Sequence, residues 1–74
     1  MNNIQLFVSG ELTRSFQFYD LLDGLVWIFR NNIEFDIMRI DDDTTVRKHE
    51  FRRYLDRINE YYKRVYGTHY ELWE

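Results

Sequence analysis

The longest periodic pattern of apolar residues lies in the second half of the chain. Seven apolar or aromatic side chains recur there at intervals of three and four residues, which places them on one face of a helix. Gly67 follows where a left-handed C-terminal cap belongs, and Thr44 or Thr45 can cap the start. The pattern therefore predicts one long amphipathic helix over residues 44–66. The seven residues are Phe51, Tyr54, Leu55, Ile58, Tyr61, Tyr62 and Val65.

A second helical pattern covers residues 15–30, but its beginning also suits a strand. Apolar and polar residues alternate over residues 12–18, as in the second strand of a hairpin. The helical spacing extends further, and Asn31 and Asn32 can end a helix in a left-handed turn. We predict a helix from about residue 15 to residue 30, and the choice between strand and helix start for residues 11–20 stays open. Its apolar stripe is Phe18, Leu21, Leu22, Leu25, Ile28 and Phe29.

Three shorter segments predict strands. Residues 4–9 form an apolar run closed by a glycine, and residues 33–40 alternate between apolar and polar side chains. Residues 68–73 alternate well enough for a last, edge strand. The predicted order is β-α-β-α-β, a single compact α+β domain over residues 1–74 with three short strands and two helices.

Length and composition favour a binding protein. A chain of 74 residues buries only about 60–65% of its unfolded surface, and without cysteine it has no disulfide to stabilise a thin core. Such a core cannot hide six Phe, six Tyr and two Trp together. Some of these aromatic side chains are therefore expected at the surface, where Tyr and Trp are favoured in protein interfaces.

Charge is distributed unevenly along the chain. Residues 1–43 carry three arginines against eight carboxylates, whereas residues 44–74 carry seven basic against five acidic side chains. Such a bipolar protein can orient on a charged partner, although two solvated faces that happen to differ are the simpler explanation of the pattern. No apolar run is long enough for a membrane span, and the first residues lack the features of a secretory signal. We therefore predict a cytoplasmic protein without membrane contact.

The acidic run over residues 41–45 is the sharpest candidate for chemistry. It reads Asp-Asp-Asp-Thr-Thr after an apolar strand and resembles the DxDxT motif of haloacid-dehalogenase-type phosphatases. The resemblance implies Asp41 as nucleophile, Asp43 as general acid and bound Mg²⁺. That family also needs a large doubly wound domain, a later lysine and a further acidic pair, whereas one helix takes most of the residues that follow. We therefore interpret the run as an acidic turn and predict no enzyme, catalytic residue, cofactor or metal.

The favoured binding surface combines aromatic and acidic side chains. Four residues at helical spacing, two aromatic and two acidic, lie opposite the apolar stripe of the first predicted helix. The alternative is a helix covered on both sides, and the sequence does not decide between the two. The predicted protein-binding residues are Phe16, Tyr19, Asp20, Asp23, Trp27, Asp41, Asp42 and Asp43.

A basic face on the long helix suggests nucleic acid as the alternative partner. Basic residues alternate there with tyrosines, a combination that single-strand binders use for phosphate contacts and base stacking. Interleaved carboxylates and the net charge of −3 count against this interpretation. The residues concerned are Arg47, Lys48, Arg52, Arg53, Arg57, Lys63 and Arg64.

The complete absence of alanine and proline points to an AT-rich genome, bacterial or viral. Small proteins of AT-rich phages that block host defence or transcription components are similar in style, though no motif identifies a family. The sequence thus favours a non-catalytic modulator or inhibitor that binds a host or cognate protein. A self-associating structural protein, such as a homodimer, is a further alternative.

Overall fold

The computed structural model describes residues 1–73 and shows a four-stranded antiparallel sheet with two helices on one face. This confirms the α+β class and the long C-terminal helix, with four strands instead of three. The strand order β2-β1-β3-β4 places the first strand of each hairpin at the centre of the sheet. The elements are β1 (Asn2–Val8), β2 (Glu11–Phe18), α1 (Leu21–Arg30), β3 (Ile37–Ile40), β4 (Thr44–Arg47) and α2 (Phe51–Tyr66), which a 3₁₀ turn at Lys48–Glu50 precedes.

Residues 11–18 form a strand, so the predicted helix start at residue 15 is wrong. β2 pairs with β1 in an antiparallel hairpin that sets Ile4 opposite Phe16. Ser9 and Gly10 both adopt positive φ, which closes this hairpin with a two-residue turn. The strand alternation was the correct signal here. Phe16 and Phe18 point to the helix side of the sheet, so Phe18 matched the helical stripe without lying in the helix.

The first helix begins and ends with local capping. The Asp20 carboxylate accepts a hydrogen bond from the Asp23 N–H at 3.2 Å, which fixes the start of α1. At the other end Asn32 has a φ of 51°, and the N–H of Ile33 donates to the carbonyl of Ile28. This is the Schellman geometry, so the predicted left-handed end of the helix is confirmed.

The second hairpin, built from β3 and β4, corrects two predicted boundaries. The strand predicted over residues 33–40 is confined to β3, because residue 33 belongs to the end of α1. Residues 44–47, predicted to open the long helix, form β4 instead, with Val46 opposite Met38. Two threonines and a valine in this segment favour a strand through their β-branched side chains. The long helix therefore begins at residue 51.

The segment of residues 68–73, called the tail below, forms no strand and lies along the helices. The Asn59 side chain of α2 donates to the Tyr70 carbonyl at 2.8 Å and accepts from the Tyr70 N–H at 2.9 Å. Trp73 packs against Phe29 of α1 with 4.8 Å between ring centroids, and its indole N–H donates to Asp56 of α2. The segment for which alternation predicted a strand is instead held to the helices by contacts with their side chains.

The core lies between the helices and one face of the sheet, while the other sheet face carries no covering element within residues 1–73. Strand alternation divides the side chains between these two faces. The buried side chains are Ile4, Leu6, Leu22, Leu25, Val26, Ile28, Phe35, Met38, Ile40, Val46, Phe51 and Leu55. The uncovered face, called the open face below, consists of Asn3, Gln5, Phe7, Leu12, Ser15, Gln17, Ile37, Arg39, Thr45 and Arg47. No helix within residues 1–73 is long and apolar enough to cross a membrane.

Candidate protein-interaction surface

Three aromatic side chains, called the aromatic ledge below, pack together where β2 meets α1. The rings of Phe16 and Trp27 meet edge to face with 5.0 Å between centroids, and Phe18 lies 6.0 Å from Trp27. Trp27 remains 40% exposed, and the two phenylalanines are half-buried. The ledge is thus a stacked, rigid aromatic surface that joins the core to solvent.

Gly24 of α1 makes room for the ledge. A Cβ atom at this position would lie 2.6 Å from Cδ2 and 2.7 Å from Cγ of Phe18, well inside van der Waals contact. The Phe18 ring therefore lies directly against the helix at this glycine. The glycine, an unfavourable residue inside a helix, is explained by this close approach.

The other predicted residues of this region surround the ledge. Tyr19 is 91% exposed and lies between β2 and the N-cap of α1. Asp20 is the helix cap, and Asp23 lines a shallow surface cavity together with Trp27. Asp23 also accepts a hydrogen bond from the Tyr70 hydroxyl, which raises the pKa of Tyr70. The outer side of α1 is therefore neither fully open nor fully covered: the tail contacts its acidic part, and Trp27 stays accessible.

The sequence did not identify the aromatic residues at the end of α2 as surface residues. The rings of Tyr61, Tyr62 and Tyr66 lie 5.1–6.5 Å apart, and Tyr66 is 63% exposed. Tyr19, Tyr62 and Tyr66 line one shallow surface cavity, so this tyrosine group reaches the start of α1. The length of the apolar stripe could have revealed them, because it continues along α2 beyond Leu55, the last residue of the core.

The acidic turn occupies a separate position. Asp41 ties the β3–β4 turn to the first strand, because its carboxylate accepts from the Asn3 N–H at 2.8 Å and from the Asn2 side chain at 2.7 Å. These two hydrogen bonds, the backbone one foremost, hold the pKa of Asp41 below its ordinary value. Strand β1 separates this turn from Phe18 on β2. The predicted protein-binding residues therefore form two groups instead of one continuous surface.

Replacing Asp41 with asparagine is expected to remove a pH-dependent contribution to stability. A carboxylate whose pKa is lowered by folding stabilises the fold at neutral pH, and this contribution disappears as the pH falls below about 4. Asparagine tolerates the positive φ of 52° at this position, so backbone strain is not introduced. Urea unfolding at several pH values should show wild type more stable than the variant at neutral pH, with the difference shrinking in acid.

Asp42→Asn is the matched control, since Asp42 has a φ of 65° in the same turn and its side chain has no hydrogen-bond partner within residues 1–73. Its stability difference from wild type should vary less with pH. An identical pH dependence in the two variants would contradict the assigned role of Asp41.

The predicted basic residues are divided between two surfaces. Arg47 lies on the open face and Lys48 in the 3₁₀ turn, whereas the others lie exposed along α2. Within residues 1–73, no lysine or arginine side-chain nitrogen lies within 4.0 Å of a carboxylate oxygen. Three arginines instead lie over aromatic rings, among them Arg52, 4.1 Å from the Trp73 ring centroid. The α2 residues of the set are Arg52, Arg53, Arg57, Lys63 and Arg64.

Comparisons of the chain with protein families, curated proteins and solved structures find no match.

Proposed function

We propose that the protein is a non-catalytic, cytoplasmic modulator that binds a larger protein through the aromatic ledge and the edge strand β2. The observation that carries the proposal is the partly exposed Phe16–Trp27 stack beside a strand at the edge of the sheet. Exposed aromatic side chains held rigidly by their neighbours are typical anchors of protein interfaces, because they bury much area at little entropic cost.

Edge strand β2 supplies the second element of this surface. It is eight residues long, pairs only with β1 among the described strands, and is exposed over most of its length. An extended segment of a partner can add to such an edge through backbone hydrogen bonds. Its alternate side chains would then meet Phe16 and Phe18, which lie on the helix side of β2.

Charge further defines the partner. Asp23 lines a cavity with Trp27, and Asp20 lies at the start of the same helix. A basic side chain of the partner would pair with these carboxylates, while an apolar residue next to it packs on the ledge. The partner segment we propose is therefore extended, with an apolar or aromatic residue flanked by lysine or arginine.

Affinity capture from the cell in which the protein acts, followed by titration of the recovered partner, tests this proposal. Tyr19→Ala and Trp27→Ala are each expected to weaken binding by about 10-fold or more, the size typical of an interface hot spot. Neither side chain belongs to the buried core, so far-UV circular dichroism should remain that of wild type.

Tyr61→Ala is the matched control, because Tyr61 is an exposed aromatic residue on the part of α2 that borders Arg53, Arg57 and Arg64. It should retain wild-type affinity. A partner that tolerates both Trp27→Ala and the neighbouring Tyr19→Ala would exclude the ledge as the binding surface. A homodimer in sedimentation experiments that Trp27→Ala dissociates would instead assign the ledge to self-association, the alternative function.

A further inference from the structure

The open face brings an aromatic ring and an arginine together at the centre of the sheet. Phe7 lies on β1, and the guanidinium of Arg39 on the adjacent β3 lies 5.6 Å from its ring centroid. Leu12 on one side of Phe7 and Ile37 on the other are its direct cross-strand partners. The centre of this face is therefore a flat apolar strip with a planar cation above its aromatic residue.

Charge on the open face has one sign. Its two charged residues, Arg39 and Arg47, are both basic, although the whole chain has a net charge of −3. Its other polar residues are neutral amides and hydroxyls, such as Gln5 and Gln17. Neither guanidinium forms an ion pair with a carboxylate within residues 1–73, although the Arg47 backbone N–H donates to the Glu50 carboxylate at 3.0 Å. A face without carboxylates on an acidic protein is complementary to an anionic ligand.

We propose that the open face binds single-stranded nucleic acid. A base stacks on the Arg39 guanidinium and extends the existing stack with Phe7, while Arg47 contacts phosphate. The amide side chains of Gln5 and Gln17 can donate to and accept from base edges. This site is distinct from the aromatic ledge, which lies on the helix side of the sheet.

Two other occupants suit the open face less well. A second copy packed face to face would bring Arg39 and Arg47 against the same arginines, with no carboxylate on either face to compensate. An acidic peptide would satisfy the arginines, but its carboxylates provide no aromatic ring to stack on the exposed guanidinium above Phe7. Nucleic acid satisfies both the charge and the stacking geometry.

Fluorescence anisotropy with dye-labelled DNA and RNA single strands of about 12 nucleotides tests the proposal. Binding is expected at low salt, with a logarithmic salt slope of about −0.7 because Arg47 neutralises one phosphate. Arg47→Gln should remove this salt dependence, whereas Arg39→Gln and Phe7→Ala should each weaken binding by about tenfold through lost stacking. Phe7→Leu retains the apolar packing and separates loss of stacking from loss of folding.

Arg53→Gln combined with Arg57→Gln is the control, because it removes two positive charges from α2, more than any single open-face variant, and leaves the open face intact. Unchanged binding in this variant is expected. Loss of binding there, with retention in Arg39→Gln, would place nucleic acid on the helix and overturn the proposal. Absence of binding to any single strand at low salt would overturn it too. So would equally tight binding of an oligoglutamate peptide, since charge alone would then suffice.

Discussion

Replacing Trp73 with alanine is expected to lower the free energy of unfolding by about 2–3 kcal/mol, although this residue lies outside every helix and strand. Its indole contacts Phe29 of α1, the guanidinium of Arg52 and the carboxylate of Asp56 on α2. The side chain thus connects the two helices. Urea unfolding of the purified variant measures the loss.

Two further substitutions at the tail separate packing from hydrogen bonding. Trp73→Phe retains a ring between the helices but loses the N–H donor to Asp56, so its cost should be about 1 kcal/mol. Glu71→Ala removes a solvent-exposed partner of His69, 3.4 Å away, and should change stability by less than about 0.5 kcal/mol. Equal stabilities of Trp73→Ala and Glu71→Ala would show that the tail does not hold the helices.

Gly24→Ala is expected to destabilise the protein by about 1–2 kcal/mol, although alanine is the better helix former. The new methyl group would lie within 3 Å of two ring atoms of Phe18, which must then leave its place in the aromatic ledge. The steric cost exceeds the gain in helix propensity of about 1 kcal/mol. Chemical denaturation measures the net effect, and near-UV circular dichroism reports the displaced aromatic stack.

The sign of the Gly24 effect should reverse when the ring is absent. In a Phe18→Ala background the clash with the ring is removed and only a contact with Ile4 Cδ1, the end of a flexible side chain, remains at 3.2 Å, so Gly24→Ala should then stabilise the helix by up to about 1 kcal/mol. The double-mutant cycle therefore measures the Phe18–Gly24 contact directly. The same destabilisation in both backgrounds would mean that the glycine serves another purpose than contact with Phe18.

The sequence predicted the elements whose signals are local. The stripe of α2, its left-handed end at Gly67 and the turn at Asn32 are periodic or capping patterns that depend on few neighbours. The sequence could not decide between strand and helix for the β2 region. Phe18 lies in a strand and points to the core, but its position also continues the helical spacing of the apolar residues of α1. Only the pairing of Ile4 with Phe16, a contact between distant residues, distinguishes the two.

The predicted site residues show the same division. Phe16 and Trp27 were placed together on a helix, and the structure brings them together from a strand and a helix. The roles of Asp20 and Asp41 as acceptors of backbone hydrogen bonds depend on loop geometry that spacing does not encode. The open face was missed because its residues are recognised only when the register of all four strands is known.

The strand order β2-β1-β3-β4 also bears on how this chain folds. Each half forms its own hairpin from residues close in sequence, and within the sheet the halves meet only where β1 pairs with β3. An isolated two-stranded hairpin is at best marginally stable in water. Neither half can therefore persist alone, and the β1–β3 seam, together with the helices packed across it, makes the two halves fold and unfold as one cooperative unit.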